Sequence, residues 1–405
     1  MKLLIVSPTP THPPTAGNRA RIFSLAKNLG SLGHDVHFAW VTMEHGDADA
    51  MKAHFKERLE ILPYSRPPIL DSKIDRFRRR LLRGIGNERS YIWRLDDWYD
   101  ESASEEIRAL HARHNFDAVL VEYVFLSRVL DALPDSVLKI IDTHDRFSNR
   151  HAQYLRAGKR PEWFSTTEAD EKLGLRRADV VLAIQEEEAQ FFSKMLCGKT
   201  EVVTVGHLLD LSCQVSVGSA PRAVFVGSSN SINADAANYF IRSVLPLVRS
   251  VRPDFQLILA GGVGAQVSDA IGVQKLGHVA SIQDAYAKGS LAINPVRMGT
   301  GLNIKTMECL AFGVPLVSTA TGSRGLDALQ GRAFVRVPDD DAGAMAAAVI
   351  ALLNNPNDAQ ALGRAARQAA ELWNTEQLRN LQGIFSSADH RRQVMQANCC
   401  ASGVG

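Results

Sequence analysis

Asn294-Pro-Val-Arg-Met-Gly-Thr-Gly-Leu-Asn-Ile-Lys-Thr-Met-Glu-Cys-Leu-Ala-Phe-Gly-Val-Pro-Leu-Val-Ser318 runs strand, glycine loop, helix, turn, strand. The flanking runs Leu291–Asn294 and Leu316–Ser318 are short and apolar, as in a parallel sheet covered on both faces. Gly299 and Gly301 bracket Thr300 where the first strand gives way to a helix expected over Asn303–Phe312. Small residues there let a ligand approach backbone N–H groups, and a helix N-terminus attracts anions. Lys305 falls in the first turn, where a cation opposes the helix dipole; a bound diphosphate turns that conflict into attraction. Glu308 lies three residues on and shares a face with Lys305. An acceptor-only carboxylate there suits a pair of ribose hydroxyls. The alternative is that Lys305 and Glu308 pair with each other on a solvated surface.

Outward from this segment the pattern repeats. Ala223–Val226, Gln256–Ala260 and Phe334–Val337 are strand-like, with helices expected over Ala234–Ser250, Ile282–Lys288 and Ala342–Leu353. An earlier series comprises Lys2–Ser7, Asp35–Thr42, Asp117–Val121, Leu138–Asp142, Val180–Ile184 and Val202–Val205, with a helix over Gly17–Leu32. Alternating strands and helices predict doubly wound parallel sheets. The looser stretch Gly206–Ala220 reads as a linker, so two Rossmann-like domains are expected, 1–207 and 208–374. The segment 375–405 is expected as a C-terminal helix, ending near Val394, and a tail. Ligands of open α/β sheets bind beyond the carboxyl ends of the strands, so a cleft between the domains is the expected site.

Composition narrows the class. The chain has 405 residues, 45% apolar and 22% charged, with a formal charge of +2. That balance gives no global pull toward nucleic acid or an anionic membrane. No apolar run approaches the roughly 20 residues of a spanning helix. Five cysteines, odd in number and without CxxC spacing, argue for a reducing cytoplasmic setting and against a disulfide framework or structural zinc.

The segment quoted first resembles the donor-binding signature of family 4, group 1 glycosyltransferases of the GT-B fold. Its landmarks are Pro295, Gly299-Thr-Gly301, Glu308 and Ala311-Phe-Gly-Val-Pro-Leu-Val317. Val224-Phe-Val-Gly-Ser228, Leu257-Ile-Leu-Ala-Gly261, Leu276-Gly-His-Val279, Ser318-Thr-Ala-Thr-Gly322 and Gly325-Leu326 extend the likeness over residues 222–330. The resemblance implies a nucleotide-sugar donor held by the C-terminal domain, with Glu308 on the ribose. It places Gly299, Thr300, Gly301, Leu302 and Lys305 on the diphosphate, with Gly227 and Ser228 nearby. It implies no cofactor and no active-site metal. There are two departures. Thr300 stands where the family often has a first glutamate. The family's basic clamp after the first strand of this domain is replaced by Ser228-Ser-Asn-Ser-Ile-Asn233, which leaves Lys305, with Arg297, to stabilise the leaving diphosphate.

In the N-terminal half, Gly17, Asn18 and Arg19 open the first helix after a proline-rich loop. They are either a simple turn or, by the same resemblance, a loop facing donor phosphates or acceptor. Ile141-Asp-Thr-His-Asp-Arg146 places ionisable groups at a strand's carboxyl end. His144 is a candidate for bonding the sugar, and Asp142 or Asp145 for acting as base; Glu122 is a weaker candidate of the same kind. A metal site and a purely structural cap are the alternatives. Lys73–Arg83 is basic, with Ile74, Phe77, Leu81 and Ile85 at helical spacing. It is either a solvated face or a peripheral contact with the inner face of a membrane. The basic patch is isolated and lacks the interleaved recognition aromatics that nucleic acid calls for.

The function expected is transfer of a sugar from a nucleotide-sugar to an acceptor hydroxyl, with retention, in assembly of a glycan or lipid-linked saccharide. A nucleotide-sugar epimerase and a non-catalytic nucleotide-sugar-binding subunit are the alternatives. A nicotinamide dehydrogenase is disfavoured, because the first strand leads into Ser-Pro-Thr-Pro and not a dinucleotide glycine loop.

Overall fold

A computed structural model describes residues 1–402 except Thr15, Ala157, Lys159, Glu162, Thr300 and Gly301, and omits the side chains of Asp71 and 387–402. The chain divides into two compact units. One comprises Met1–Leu208 and the C-terminal residues from Glu376 onward; the other is Leu209–Thr375.

The first unit is built on seven strands: β1 (Lys2–Ser7), β2 (Asp35–Val41), β3 (Leu59–Leu62), β4 (Ala118–Glu122), β5 (Leu138–Asp142), β6 (Val180–Ala183) and β7 (Glu201–Thr204). Their order is β3-β2-β1-β4-β5-β6-β7, every pair parallel. Strand residues alternate between two cores. Leu4, Val6, Val119, Val121 and Ile141 enter one, and Leu3, Ile5, Ala118, Leu120 and Ile140 the other. Both sides are covered, which is why these strands are continuous apolar runs rather than alternating ones.

The second unit has β8 (Arg222–Val226), β9 (Gln256–Ala260), β10 (Val273–Gly277), β11 (Leu291–Asn294), β12 (Leu316–Thr319) and β13 (Val335–Val337). Their order is β10-β9-β8-β11-β12-β13, again wholly parallel. In each sheet the order reverses beside the first strand, at β1/β4 and β8/β11. Those are the switch points where doubly wound sheets bind ligands.

Two helices depart from expectation. The helix expected over Ala234–Ser250 contains a π-helical turn, Phe240–Val244, between Ser231–Tyr239 and Leu245–Val251. Pro246 has no N–H and its ring crowds the preceding turn, which the wider turn relieves. The last helix runs Pro356–Ser402, beyond Val394, because no glycine or proline interrupts it there. Its Leu381, Ile384 and Phe385 pack into the first unit's core. Among the described residues no helix is long and apolar enough to cross a membrane.

Candidate active site

In the second unit β11 ends at Asn294, and a knot of buried polar groups fixes the chain beyond it. Asn294 Nδ2 donates to Thr306 Oγ1 at 2.9 Å and to the Gly322 carbonyl at 3.0 Å. Thr306 Oγ1 donates to the same carbonyl at 2.6 Å. Thr319 Oγ1 accepts from Gly322 N at 3.0 Å and donates to the Val296 carbonyl. A β-carbon on Gly322 would stand 2.7 Å from Ser318 Oγ and 2.8 Å from the Asn294 carbonyl, so only glycine fits. The turn leaving β11 and the helix Ile304–Phe312 are thus tied together by side chains from three segments.

Gly299 has φ +134°, and a β-carbon there would meet nothing within 4 Å. Backbone conformation, not crowding, calls for glycine, and the space beside it is open. Leu302 is buried. Thr300 and Gly301, the other expected members of the loop, lie outside the described residues. The helix Ile304–Phe312 opens with no side-chain cap and no acidic residue in its first turn. Lys305 and Glu308 are both half-buried. Burial lowers the Lys305 amine, against the attraction of Glu308. Burial also pushes Glu308 up to about 7, with Lys305 opposing. No ion pair joins the two among the described residues.

Gly227 closes β8 against the end of β9. Its N–H donates to the Ala260 carbonyl at 2.9 Å, and a β-carbon on Gly261 would fall 2.5 Å from its oxygen. Ser228 is exposed, and its Oγ accepts from Asn233 Nδ2 at 3.1 Å. Arg297 corrects the expectation that it meets a diphosphate. It bridges Asp235 at 2.8 Å and Asp340 at 2.6 Å, and it lies 4.3 Å from the centre of the Tyr239 ring. Its charge is already committed to two carboxylates, which leaves Lys305 as the cation of this segment.

In the first unit, the register β4–β5 sets Glu122 opposite Asp142 at the strands' carboxyl ends. Two buried carboxylates side by side demand a cation, and Arg21 of the helix Gly17–Ser31 supplies it. Its Nε and NH2 reach Asp142 Oδ2 and Oδ1 at 2.8 and 2.6 Å, and NH2 also donates to the Val205 carbonyl at 2.8 Å. Burial works against a charged Asp142, but Arg21 outweighs it and holds the carboxyl below its ordinary range. Glu122 has no such partner; burial and the Asp142 charge push it well above the usual carboxylate range.

His144 sits against this pair with a left-handed backbone, φ 59°. Its Nε2 is 2.5 Å from Glu122 Oε2 and 3.5 Å from Asp142 Oδ2, and Tyr123 stacks on the ring at 4.1 Å. Burial lowers His144 to about 4, despite Asp142. At neutral pH the imidazole is therefore uncharged, with Nε2 turned to the Glu122 carboxyl. Glu171 steadies the following loop by accepting the N–H groups of Phe147 and Ser148 at 2.7 and 2.9 Å.

The geometry corrects Asp142 as a base: it is fully buried and both its oxygens are held by Arg21. Asp145 is half-buried, accepting from Arg150 Nε at 3.1 Å. Glu122, Asp142 and His144 do bring three ligand-type atoms within 4.8 Å of one another, but the charge Asp142 meets there is Arg21. Gly17 is exposed, Asn18 Oδ1 accepts from Arg19 N at 3.0 Å, and Arg19 NH2 reaches the His45 carbonyl at 2.7 Å. Sequence reasoning chose Arg19 and missed Arg21. The available signal was spacing: Arg21, Leu25 and Leu29 stand one turn apart on the buried side of their helix.

Residues 220–355 match the family model described as "Glycosyl transferases group 1". An uncharacterized 44.6 kDa protein in the cps region of Klebsiella pneumoniae is 22% identical over 369 residues, 84% of this chain and 88% of its own. Sucrose-phosphate synthase from Thermosynechococcus elongatus superposes with a TM-score of 0.65 over 98% of this chain and 100% of its own, at 17% identity. A variant of S. aureus TarM, solved with UDP, fondaparinux and α-GlcNAc-glycerol, gives 0.68 over 95% of this chain and 100% of its own, at 10% identity. The whole chain has the GT-B fold of these structures, and residues 220–355 are similar to group 1 glycosyltransferase domains. These likenesses do not favour the epimerase alternative.

Proposed function

We propose that the protein moves a hexose-type sugar from a nucleoside-diphosphate donor to an acceptor hydroxyl. The bond from the anomeric carbon to the diphosphate oxygen breaks, a bond to the acceptor oxygen forms, and the acceptor gives up its proton. The observation that carries this reading is the half-buried, mutually unpaired Lys305 and Glu308 on the uncapped helix beyond β11. Two partly buried ionisable groups that do not pair with each other lose hydration, a cost that a ligand completing them removes. Lys305 and the helix N-terminus meet the diphosphate, and Glu308 accepts from the ribose hydroxyls. Gly227, Ser228, Gly299, Thr300, Gly301 and Leu302 shape the donor's surroundings. In the first unit, neutral His144 donates to a sugar or acceptor hydroxyl. The helix opening at Gly17, Asn18 and Arg19 faces phosphate or acceptor.

The reading includes retention of configuration and no requirement for a divalent ion, since Lys305 and the helix N-terminus serve the leaving diphosphate. A relative in a cps region and a TarM structure holding UDP support a nucleotide-sugar donor and a role in polysaccharide assembly; the reading puts that role at the cytoplasmic side. Thermal shift against a panel of nucleotide sugars tests it, because a bound donor raises stability by mass action. Lys305→Ala and Glu308→Ala should each shrink the shift; unchanged shifts in both overturn the assignment. Release of the nucleoside diphosphate by pure protein separates an enzyme from a binding subunit.

A further inference from the structure

Three residues of the first unit share a backbone conformation that their side chains disfavour. Tyr123, His144 and Trp163 have φ of 71°, 59° and 65°, the left-handed region where a β-carbon crowds the chain. They belong to separate segments, yet their rings meet. Tyr123 stacks on His144 at 4.1 Å and meets Trp163 edge to face at 5.4 Å. Exposure changes sharply along this row. Tyr123 and His144 are buried, whereas Trp163 is 39% exposed; the other four tryptophans are buried or half-buried. A strained backbone that holds a large ring in the open marks a contact surface rather than a core position.

Through its hydroxyl, Tyr123 also reaches a carboxylate site. The hydroxyl lies toward Asn18 and Thr9. Thr9 Oγ1 donates to Glu44 Oε1 at 3.3 Å, and Arg19 NH2 is 3.6 Å from Glu44 Oε2. The Glu44 charge acts on both Tyr123 and His144. Asp142 is fully buried under Arg21, but 34% of the Glu44 side chain is exposed, so it has room for another donor. An aromatic face and an accessible carboxylate, linked through one buried tyrosine, complement a pyranose. One face of such a ring presents C–H groups, which pack on a π face, and the hydroxyls around its edge donate to a carboxylate.

We infer that the acceptor is a saccharide, with one pyranose ring lying on the Trp163 indole and Glu44 accepting from an acceptor hydroxyl beside His144. The role of that saccharide as acceptor rests on the transferase reading above; the contact with Trp163 and Glu44 is tested separately from it.

Saturation-transfer NMR of the full chain with methyl β-glucoside, methyl β-galactoside and cellobiose, and with glycerol as the control, tests it. At least one of the saccharides should bind through its ring hydrogens, and glycerol should not. Trp163→Gly should weaken that binding about 3- to 10-fold, the range of one stacked ring, and Trp163→Phe should recover part of it. Glu44→Gln should weaken it about tenfold, as a charged hydrogen bond is lost. Trp163→Gly should keep the wild-type melting temperature, because glycine suits φ of 65° and offsets the lost ring contacts. No saccharide binding, or equal binding by wild type and Trp163→Gly, overturns the inference. Binding lost only together with melting temperature in both Trp163 variants makes the indole a packing residue and also overturns it. Thermal shifts of the wild type with nucleotide sugars report the donor reading separately: their absence removes that reading and leaves the saccharide site standing. Where donor does bind, a saccharide that occupies Trp163 without speeding release of the nucleoside diphosphate overturns its role as acceptor.

Discussion

Arg21 grips Asp142 through two parallel hydrogen bonds of 2.8 and 2.6 Å, joining residues 121 positions apart in the chain. Both side chains are buried, so neither charge has water to fall back on. Arg21→Met leaves an uncompensated carboxylate beneath His144 and should destabilise the first unit by about 3–5 kcal/mol. Arg21→Lys should recover only part, because a single ammonium cannot reproduce the two-pronged contact. Denaturant titration measures both. The sign with pH follows from Asp142, whose carboxyl is held below its ordinary range in the folded state. The pair's stabilisation is present above roughly pH 4, the unfolded value, and fades as pH falls through the lower folded one. The wild-type advantage over Arg21→Met should therefore shrink on strong acidification.

His144 is buried and held near 4, so it carries no charge at pH 5 to 8. In the proposed reaction it contributes a neutral hydrogen bond to a sugar or acceptor hydroxyl. His144→Ala should lower kcat/KM by about 2- to 10-fold, the range of one such bond. The pH–rate profile of the wild type should show no limb from His144 between pH 5 and 8. A His144-dependent limb near pH 6.5, absent from the variant, would show an imidazole that titrates normally and would remove this assignment.

The two halves of the candidate site were unequally legible in the sequence. Strand positions could be read because burial on both faces makes them uninterrupted apolar runs, as in Leu3–Val6 and Ala118–Val121. The donor segment could be read because its parts are contiguous: the glycine turn, Lys305 and Glu308 lie within ten residues, and helix geometry sets how they face. The Arg21–Asp142–Glu122–His144 cluster joins residues from three distant segments. Its pairing follows from strand order and register, which no local pattern carries. Arg297 misled for a related reason. Its nearness to the glycine loop was visible, but its partners Asp235 and Asp340 lie 62 and 43 residues away.

Arg297 therefore separates position from role. Arg297→Met removes contacts to two carboxylates and to Tyr239 and should lower the melting temperature, with a loss on the order of 1 kcal/mol for half-exposed pairs. The additional shift produced by a nucleotide sugar should remain. If Arg297 held the diphosphate, the ligand-dependent shift would collapse as it should in Lys305→Ala, and differential scanning fluorimetry with and without donor distinguishes the two.

Gly299 offers a complementary test of the loop. With φ at +134° and nothing within 4 Å of the place a β-carbon would take, Gly299→Ala faces a conformational penalty without a clash. The loss of stability should be modest, about 1–2 kcal/mol, because L-residues are disfavoured at positive φ. The added methyl group projects into the open space beside the loop. Donor affinity should fall further than stability does, as read by calorimetric titration of a nucleotide sugar against the variant.

Glu308 sets stability against function. Burial raises its carboxyl to about 7, so between roughly pH 4.5 and 7 the folded protein retains a proton that the unfolded chain releases. Ligand-free stability then falls as pH rises through that window, and the full penalty is present above it. Glu308→Gln keeps the shape and removes the charge. Without ligand it should melt above the wild type at pH 8, and the difference should vanish below about pH 4.5, where both carry a neutral group. With a nucleotide sugar present the order should reverse, because the amide cannot accept from two ribose hydroxyls as a carboxylate does. Melting curves at the two pH values, with and without donor, give four numbers. A variant that melts below the wild type without ligand at pH 8 would mean that Glu308 is satisfied by the protein itself, and its place at the ribose would then have to be given up.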